Sequence, residues 1–201
     1  MKKKINFFEK FFNSRWRVCL LRYLFFHFSP IKIKEIKKFF GPKIFPFLKP
    51  EIKKLNQLSL LRKKGENYYL NENHFAFSEI KSLVSKFSPE FFEESLKKFK
   101  KVPSLIFLSF GGIFSPENVF LPLSEERLDI LIVVKKNQKD IERKIAKIVS
   151  SLEKETGKEL NFMILSEKEF KYRYSMFDKF IHSFFEKNPV ILINKMRGIN
   201  L

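Results

Sequence analysis

Apolar and aromatic residues recur at helical spacing from Ser14 onward. Trp16, Leu20, Tyr23, Leu24 and His27 fall on one face, Ser14 can cap the helix, and Ser29-Pro30 ends it. Ile33 to Phe40 repeats the pattern in a shorter helix closed by Gly41-Pro42. Pro50 suits a first helical position, which predicts a helix over about Pro50 to Leu58 with Ile52 and Leu55 inward. Pro46 and Pro50 are expected to shorten that helix at its start. The pattern then changes: Leu60 to Lys63 and Asn67 to Leu70 read as two strands joined at Lys64-Gly65-Glu66. Two further helices are expected, Ser78 to Phe87 and a second from Ser88-Pro89-Glu90 to about Lys100.

From Leu105 apolar runs alternate with helical segments. Strands are predicted at Leu105 to Ser109, Leu128 to Val134, Leu160 to Leu165 and Val190 to Ile193. Between them lies an amphipathic helix, Asp140 to Thr156, with Ile141, Ile145, Ile148, Val149 and Leu152 as its stripe and Gly157 as its stop. Ser166 with Glu169 forms a capping box into one helix reaching about Glu186, with Phe170, Tyr174, Phe177, Ile181 and Phe184 inward. The fold class expected is α+β with two domains, 1–87 and 88–201, the second an α/β layer on a mixed sheet.

Charge sharpens this division. The chain carries +18, yet residues 1–75 hold 18 Lys/Arg against 5 Asp/Glu and the remainder 22 against 17. A basic first part beside a nearly balanced second part points to a polyanion partner for the first. An AT-rich genome also yields abundant Lys and 27 Phe, but does not account for the asymmetry. One cysteine, Cys19, excludes a disulfide framework and suits a reducing compartment. The three histidines lie far apart, which argues against a zinc site. Arg22 interrupts the most apolar run, and Glu9, Asn13, Arg15 and Arg17 break the stretch after Lys2-Lys3-Lys4. A cytoplasmic protein with no membrane span is therefore expected.

Three helices followed by a hairpin with a basic tip, with EIKKLNQLSLLRKKGENYYLN as the most telling stretch, resemble the winged helix of many bacterial transcription regulators. The resemblance implies double-stranded DNA as partner and a homodimer as the binding form. Lys53, Lys54, Asn56 and Gln57 would then be the recognition-helix set, Arg62, Lys63 and Lys64 the wing set, and Lys43 and Lys49 phosphate contacts. Lys and Arg would supply affinity, while Asn56 and Gln57 carry the paired donor and acceptor that read adenine.

The second domain resembles the minimal nucleotidyltransferases that occur fused behind a winged helix. The likeness runs from LIFLSFGGIFSPENVFLPLSEERLDILIVV through the following helix and strand to about Lys195. That chemistry requires a Gly-Ser turn for the triphosphate and two acids spaced Asp-x-Asp for magnesium, with a third acid on the neighbouring strand. Here Gly111-Gly112 lacks the serine, Arg127 precedes Asp129 where the first acid belongs, and Asn161 occupies the third site. Glu126 falls out of phase, and Glu159 is two residues ahead of Asn161. Asp129 is expected to pair with Arg127. Gly111, Gly112 and Asp129 remain the candidate nucleotide contacts, with Lys135 or Lys136 for phosphate. In KEFKYRYSMFDKFI, Tyr172, Arg173 and Asp178 are read as polar members of a packing helix with an exposed ion pair.

The function expected is a DNA-binding transcription regulator whose catalytically degenerate nucleotidyltransferase-like domain serves dimerisation or sensing, with no metal or cofactor. The alternative is an active nucleotidyltransferase of toxin-antitoxin type, using magnesium and a nucleoside triphosphate to modify a protein or small acceptor. A third reading is an interaction module in which both activities have lapsed.

Overall fold

Ser14 caps the first described helix, as expected. In the computed structural model its Oγ accepts a hydrogen bond from the Arg17 amide at 3.1 Å and caps helix α1, Arg15–Phe26. Residues 12–27, 30–114, 127–136 and 138–196 are described. The expected stop at Ser29 and the out-of-phase Glu126 lie outside them. The chain divides into two units, 1–90 with 151–158, and 91–150 with 159–201. The sequence division at 87/88 did not anticipate that 151–158 groups with the first unit.

In the first unit α1 is followed by a two-residue strand β1, Ile31–Lys32, then α2, Ile33–Phe40. Gly41 ends α2 at φ 81, in the left-handed region that favours glycine. After a four-residue turn comes α3, Phe45–Gln57. Here the sequence expectation is corrected: the helix starts more than a turn before Pro50. Pro46 occupies one of the first two positions, where its missing N–H is harmless, and Pro50 lies in the interior. Burial of Phe45, Leu48, Ile52 and Leu55 along one stripe outweighs the single hydrogen bond that Pro50 forfeits.

Strands β2, Leu61–Lys64, and β3, Asn67–Leu70, form a tight hairpin with Gly65 at φ 61. β1, which the sequence pattern did not reveal, pairs antiparallel with β3 through Ile31 opposite Tyr68, giving the sheet order β1-β3-β2. Helix α4, Phe77–Ser85, follows, and residues 151–158 also group with this unit. Its core joins Leu20, Leu21 and Leu24 of α1 to Ile36, Phe40, Leu48, Leu55, Leu61 and Val84. Arg22, only 4% exposed, sits beside this core. Its guanidinium donates to the carbonyls of Val84, Lys86 and Glu155 and lies 4.4 Å from the Phe87 ring. The negative ends of two helix dipoles thus solvate the cation.

The second unit opens with most of α5, Pro89–Phe99, and is built on a mixed four-stranded sheet. Its strands are β4, Leu105–Phe110, β5, Ile130–Val134, β6, Phe162–Ser166, and β7, Val190–Asn194, in the order β6-β5-β4-β7. Only β5 and β6 run parallel. β5 is ILIVV, buried at every position, as a central strand covered on both faces must be. Between β5 and β6 runs α6, Lys139–Thr156. Phe91, Phe92 and Phe99 of α5 pack edge-on or stacked against Phe110 or Phe114. Phe107, Leu131 and Val133 instead join a cluster with Phe170, Ile181 and Phe184.

The single helix expected from Ser166 to Glu186 is two helices, α7, Glu167–Ser175, and α8, Lys179–Glu186. Phe177 adopts φ 54 and is 79% exposed, which overturns its inward assignment. Asp178 causes the break by capping α8, its Oδ1 accepting from the amides of Phe180 and Ile181. Arg173 reaches both Glu169 at 2.9 Å and Asp178 at 3.6 Å, so the expected ion pair spans the corner.

Candidate nucleic-acid interface

Helix α3 sorts its side chains by the 3.6-residue period. With Phe45, Leu48, Glu51, Ile52 and Leu55 buried, the opposite line is Pro46, Pro50, Lys53 and Gln57, all exposed. Lys49 and Asn56 flank this line on one side, Phe47 and Lys54 on the other, all exposed. Lys43 is exposed in the turn before the helix. The outer surface is therefore basic and amide-bearing in its second half but proline-lined in its first.

Glu51 explains how α3 is held. Although it is 6% exposed, its carboxylate accepts from Ser14 Oγ at 2.9 Å and from Arg17 Nε at 2.7 Å. Ser14 thus both caps α1 and ties α1 to α3. Glu51 also lies 3.9 Å from Lys54 Nζ, so that ammonium is drawn towards the helix body. Lys43, Lys49, Lys53, Arg62, Lys63 and Lys64 have no acidic partner among the described residues.

On the hairpin, Arg62 is directly opposite Tyr69, Lys63 opposite Tyr68, and Lys64 opposite Asn67. Strand alternation puts Arg62 and Lys64 on one face with Tyr69, and Lys63 on the other. All three cations are exposed, and with Tyr69 and Asn71 they line a shallow open groove. Two features escaped sequence reasoning. Lys34, Lys37 and Lys38 of α2 are also exposed, a signal present in the run IKIKEIKK. Phe47, 54% exposed, stacks on Trp16 with ring centroids 5.5 Å apart.

In the second unit Gly111, Gly112 and Asp129 do come together, but in a filled arrangement. Asp129 lies just before β5 and not within it, a correction to the expected strand start at Leu128. Its side chain is fully buried. Oδ1 accepts from Arg127 Nε and from the Ile113 amide at 3.0 Å. Oδ2 accepts from Arg127 Nη2 and the Asn161 amide, both at 3.0 Å. The carboxylate thus knots the glycine turn, the start of β5 and the approach to β6. Gly112 has φ 52, and a Cβ there would strike the Leu128 carbonyl and the Asp129 carboxylate. A Cβ on Gly111 would strike the Phe184 ring. Both glycines are required by this packing, independently of any phosphate. β6 begins at Phe162, so Asn161 and Glu159, both exposed, precede the strand. Among the described residues no group of three His, Cys, Asp or Glu side chains could hold a metal ion, and no helix is long and apolar enough to cross a membrane.

Compared with protein-family models, with curated proteins and with solved structures, the chain matches none.

Proposed function

We propose that the protein is a cytoplasmic DNA-binding transcription regulator whose first unit is a winged helix. The observation that carries this reading is a set of six exposed cations without acidic partners among the described residues, in the turn before α3, on α3 and on the β2–β3 hairpin, with α3 braced through Glu51. α2, the Gly41 turn and α3 have the form of a helix-turn-helix, and the hairpin with its basic tip follows as the wing. In this geometry α3 enters the major groove, Arg62, Lys63 and Lys64 reach phosphates or the minor groove, and the α2 lysines contact backbone. Pro46 removes one amide from the helix start, which weakens phosphate capture there. Base reading then falls to Lys49, Lys53, Asn56 and Gln57, further along the helix.

The second unit is proposed as a nucleotidyltransferase-like domain without the metal-binding pair, retained for dimerisation or sensing. Support comes from the four hydrogen bonds accepted by Asp129 and from the cation beside it. Nucleotide transfer would need that carboxylate for magnesium, and no observation favours this reading.

Fluorescence anisotropy tests the proposal with two duplexes, the region upstream of the protein's own gene and its scrambled counterpart, in competitor DNA at near-physiological salt. Preferential binding of the native duplex supports a regulator. Equal, steeply salt-dependent binding of both would reject it in favour of a non-specific polyanion surface.

A further inference from the structure

The second unit contains a cleft of about 290 Å³ beside the start of β4, lined by Lys100, Val102, Ser104, Lys135, Ile193 and Lys195 among others. We propose that this cleft binds a small organic phosphate. It lies at the opposite end of β4 and β5 from Gly111, Gly112 and Asp129, so it is separate from the nucleotidyltransferase-like site. The inference does not depend on the DNA-binding reading.

The three lysines come from distant parts of the sequence but are fixed by backbone hydrogen bonds. The Lys100 amide donates to Leu96 at the end of α5. The Lys135 amide donates to Ser104 O at 2.9 Å, and the Lys195 amide to Ile106 O at 2.8 Å. Lys135 and Lys195 therefore flank the first residues of β4 from its two neighbouring strands, roughly 10 Å apart across two strand spacings. That separation lets two lysine side chains converge on one phosphate from opposite sides. None of the three ammonium groups has an acidic partner among the described residues.

Ser104 adds a second mark. It holds φ 60, a conformation that non-glycine residues adopt at a cost, and its carbonyl is pinned by Lys135. Its exposed hydroxyl is a further donor to a phosphate oxygen. Val102, Leu105, Ile106 and Ile193 supply an apolar wall, so the cleft suits a phosphate carried on an apolar body better than a free inorganic ion. A recess of this volume holds a small molecule and is too small for a duplex.

The test titrates the full chain with phenyl phosphate and with inorganic phosphate by calorimetry at near-physiological salt. Lys135→Gln/Lys195→Gln is compared with Lys144→Gln/Lys147→Gln, which removes the same charge from exposed positions of α6 in the same unit. The expected result is saturable one-to-one binding of phenyl phosphate, tighter than inorganic phosphate, weakened at least about tenfold by the cleft variant and unchanged by the control. Two results would overturn the proposal: no saturation at millimolar ligand, or equal weakening by both variants. A circular-dichroism spectrum confirms that each variant is folded.

Discussion

Arg127 grips the buried carboxylate of Asp129 with two guanidinium nitrogens, Nε on Oδ1 and Nη2 on Oδ2. The bond is bidentate across only two residues of chain, and the amides of Ile113 and Asn161 complete the carboxylate's shell. All four of these donors are fixed by the surrounding chain, and a guanidinium cation stands against the carboxylate.

Breaking this pair from either side is expected to be costly. Arg127→Ala strands a fully buried carboxylate charge, and Asp129→Ala orphans two backbone amides and the guanidinium. Each change should destabilise the second unit by about 3–5 kcal/mol. Chemical denaturation of the single variants and of Arg127→Met/Asp129→Asn checks this. The double variant should lose clearly less than the sum of the two single losses.

Gly112→Ala should be more damaging than Gly111→Ala. At 112 the added methyl meets a backbone carbonyl in a left-handed conformation, whereas at 111 it meets an aromatic ring that can turn. A loss of about 2–4 kcal/mol is expected for Gly112→Ala and less for Gly111→Ala, read as midpoint shifts in urea.

Arg22→Lys should behave as a disruptive change despite conserving charge. Three carbonyls lie around the guanidinium fork, and an ammonium on a flexible stem cannot satisfy all of them while covering Phe87. The expected loss is about 2 kcal/mol, measured by thermal unfolding.

Lys53→Ala should weaken DNA binding more than Lys54→Ala, because Glu51 holds the Lys54 ammonium at 3.9 Å while Lys53 has no acidic partner among the described residues. Removing Lys53 should also flatten the dependence of log K on log salt by about 0.9 if it contacts one phosphate. Anisotropy titrations at several salt concentrations read both quantities. Equal binding by Lys53→Ala and the unaltered protein removes α3 from the interface.

Pro50→Ala should stabilise the first unit by about 1–2 kcal/mol, less than the full helix-interior penalty because the unfolded chain gains freedom as well. The new amide can donate to the Pro46 carbonyl, its i−4 partner. Thermal unfolding gives the sign directly.

Periodicity was sufficient wherever an element owed its existence to local pattern and a local stop. Ser14 caps α1 through its own hydroxyl, Gly41 closes α2 by occupying positive φ, and the Gly65 turn joins two strands with no help from afar. The unbroken apolar run of β5 announced a strand covered on both faces. Asp129 beside Arg127 was legible as an ion pair because residues two apart in an extended segment project to the same face.

Elements that depend on distant partners were not legible. β1 is two residues long and exists because β3 offers it a ladder, so no periodicity could mark it. The start of α3 was lost because the proline penalty is local, while the burial that overcomes it belongs to the whole core. The corner at Phe177 was missed because Asp178 fits a helix face in sequence and becomes a cap only once α8 packs in its own direction. The three-lysine cleft needs two strands hydrogen-bonded to opposite sides of β4 before residues 135 and 195 can be neighbours. The sequence by itself determined most of the helical and extended segments, the charge asymmetry and the pairing of Arg127 with Asp129, because these follow from side-chain chemistry and spacing. Only the tertiary structure decided that Asp129 is enclosed by Arg127, Ile113 and Asn161, and that distant lysines share a cleft. The enclosure of Asp129 and the shared cleft depend on long-range packing, whereas Lys54 meets Glu51 because α3 carries both residues on one helix.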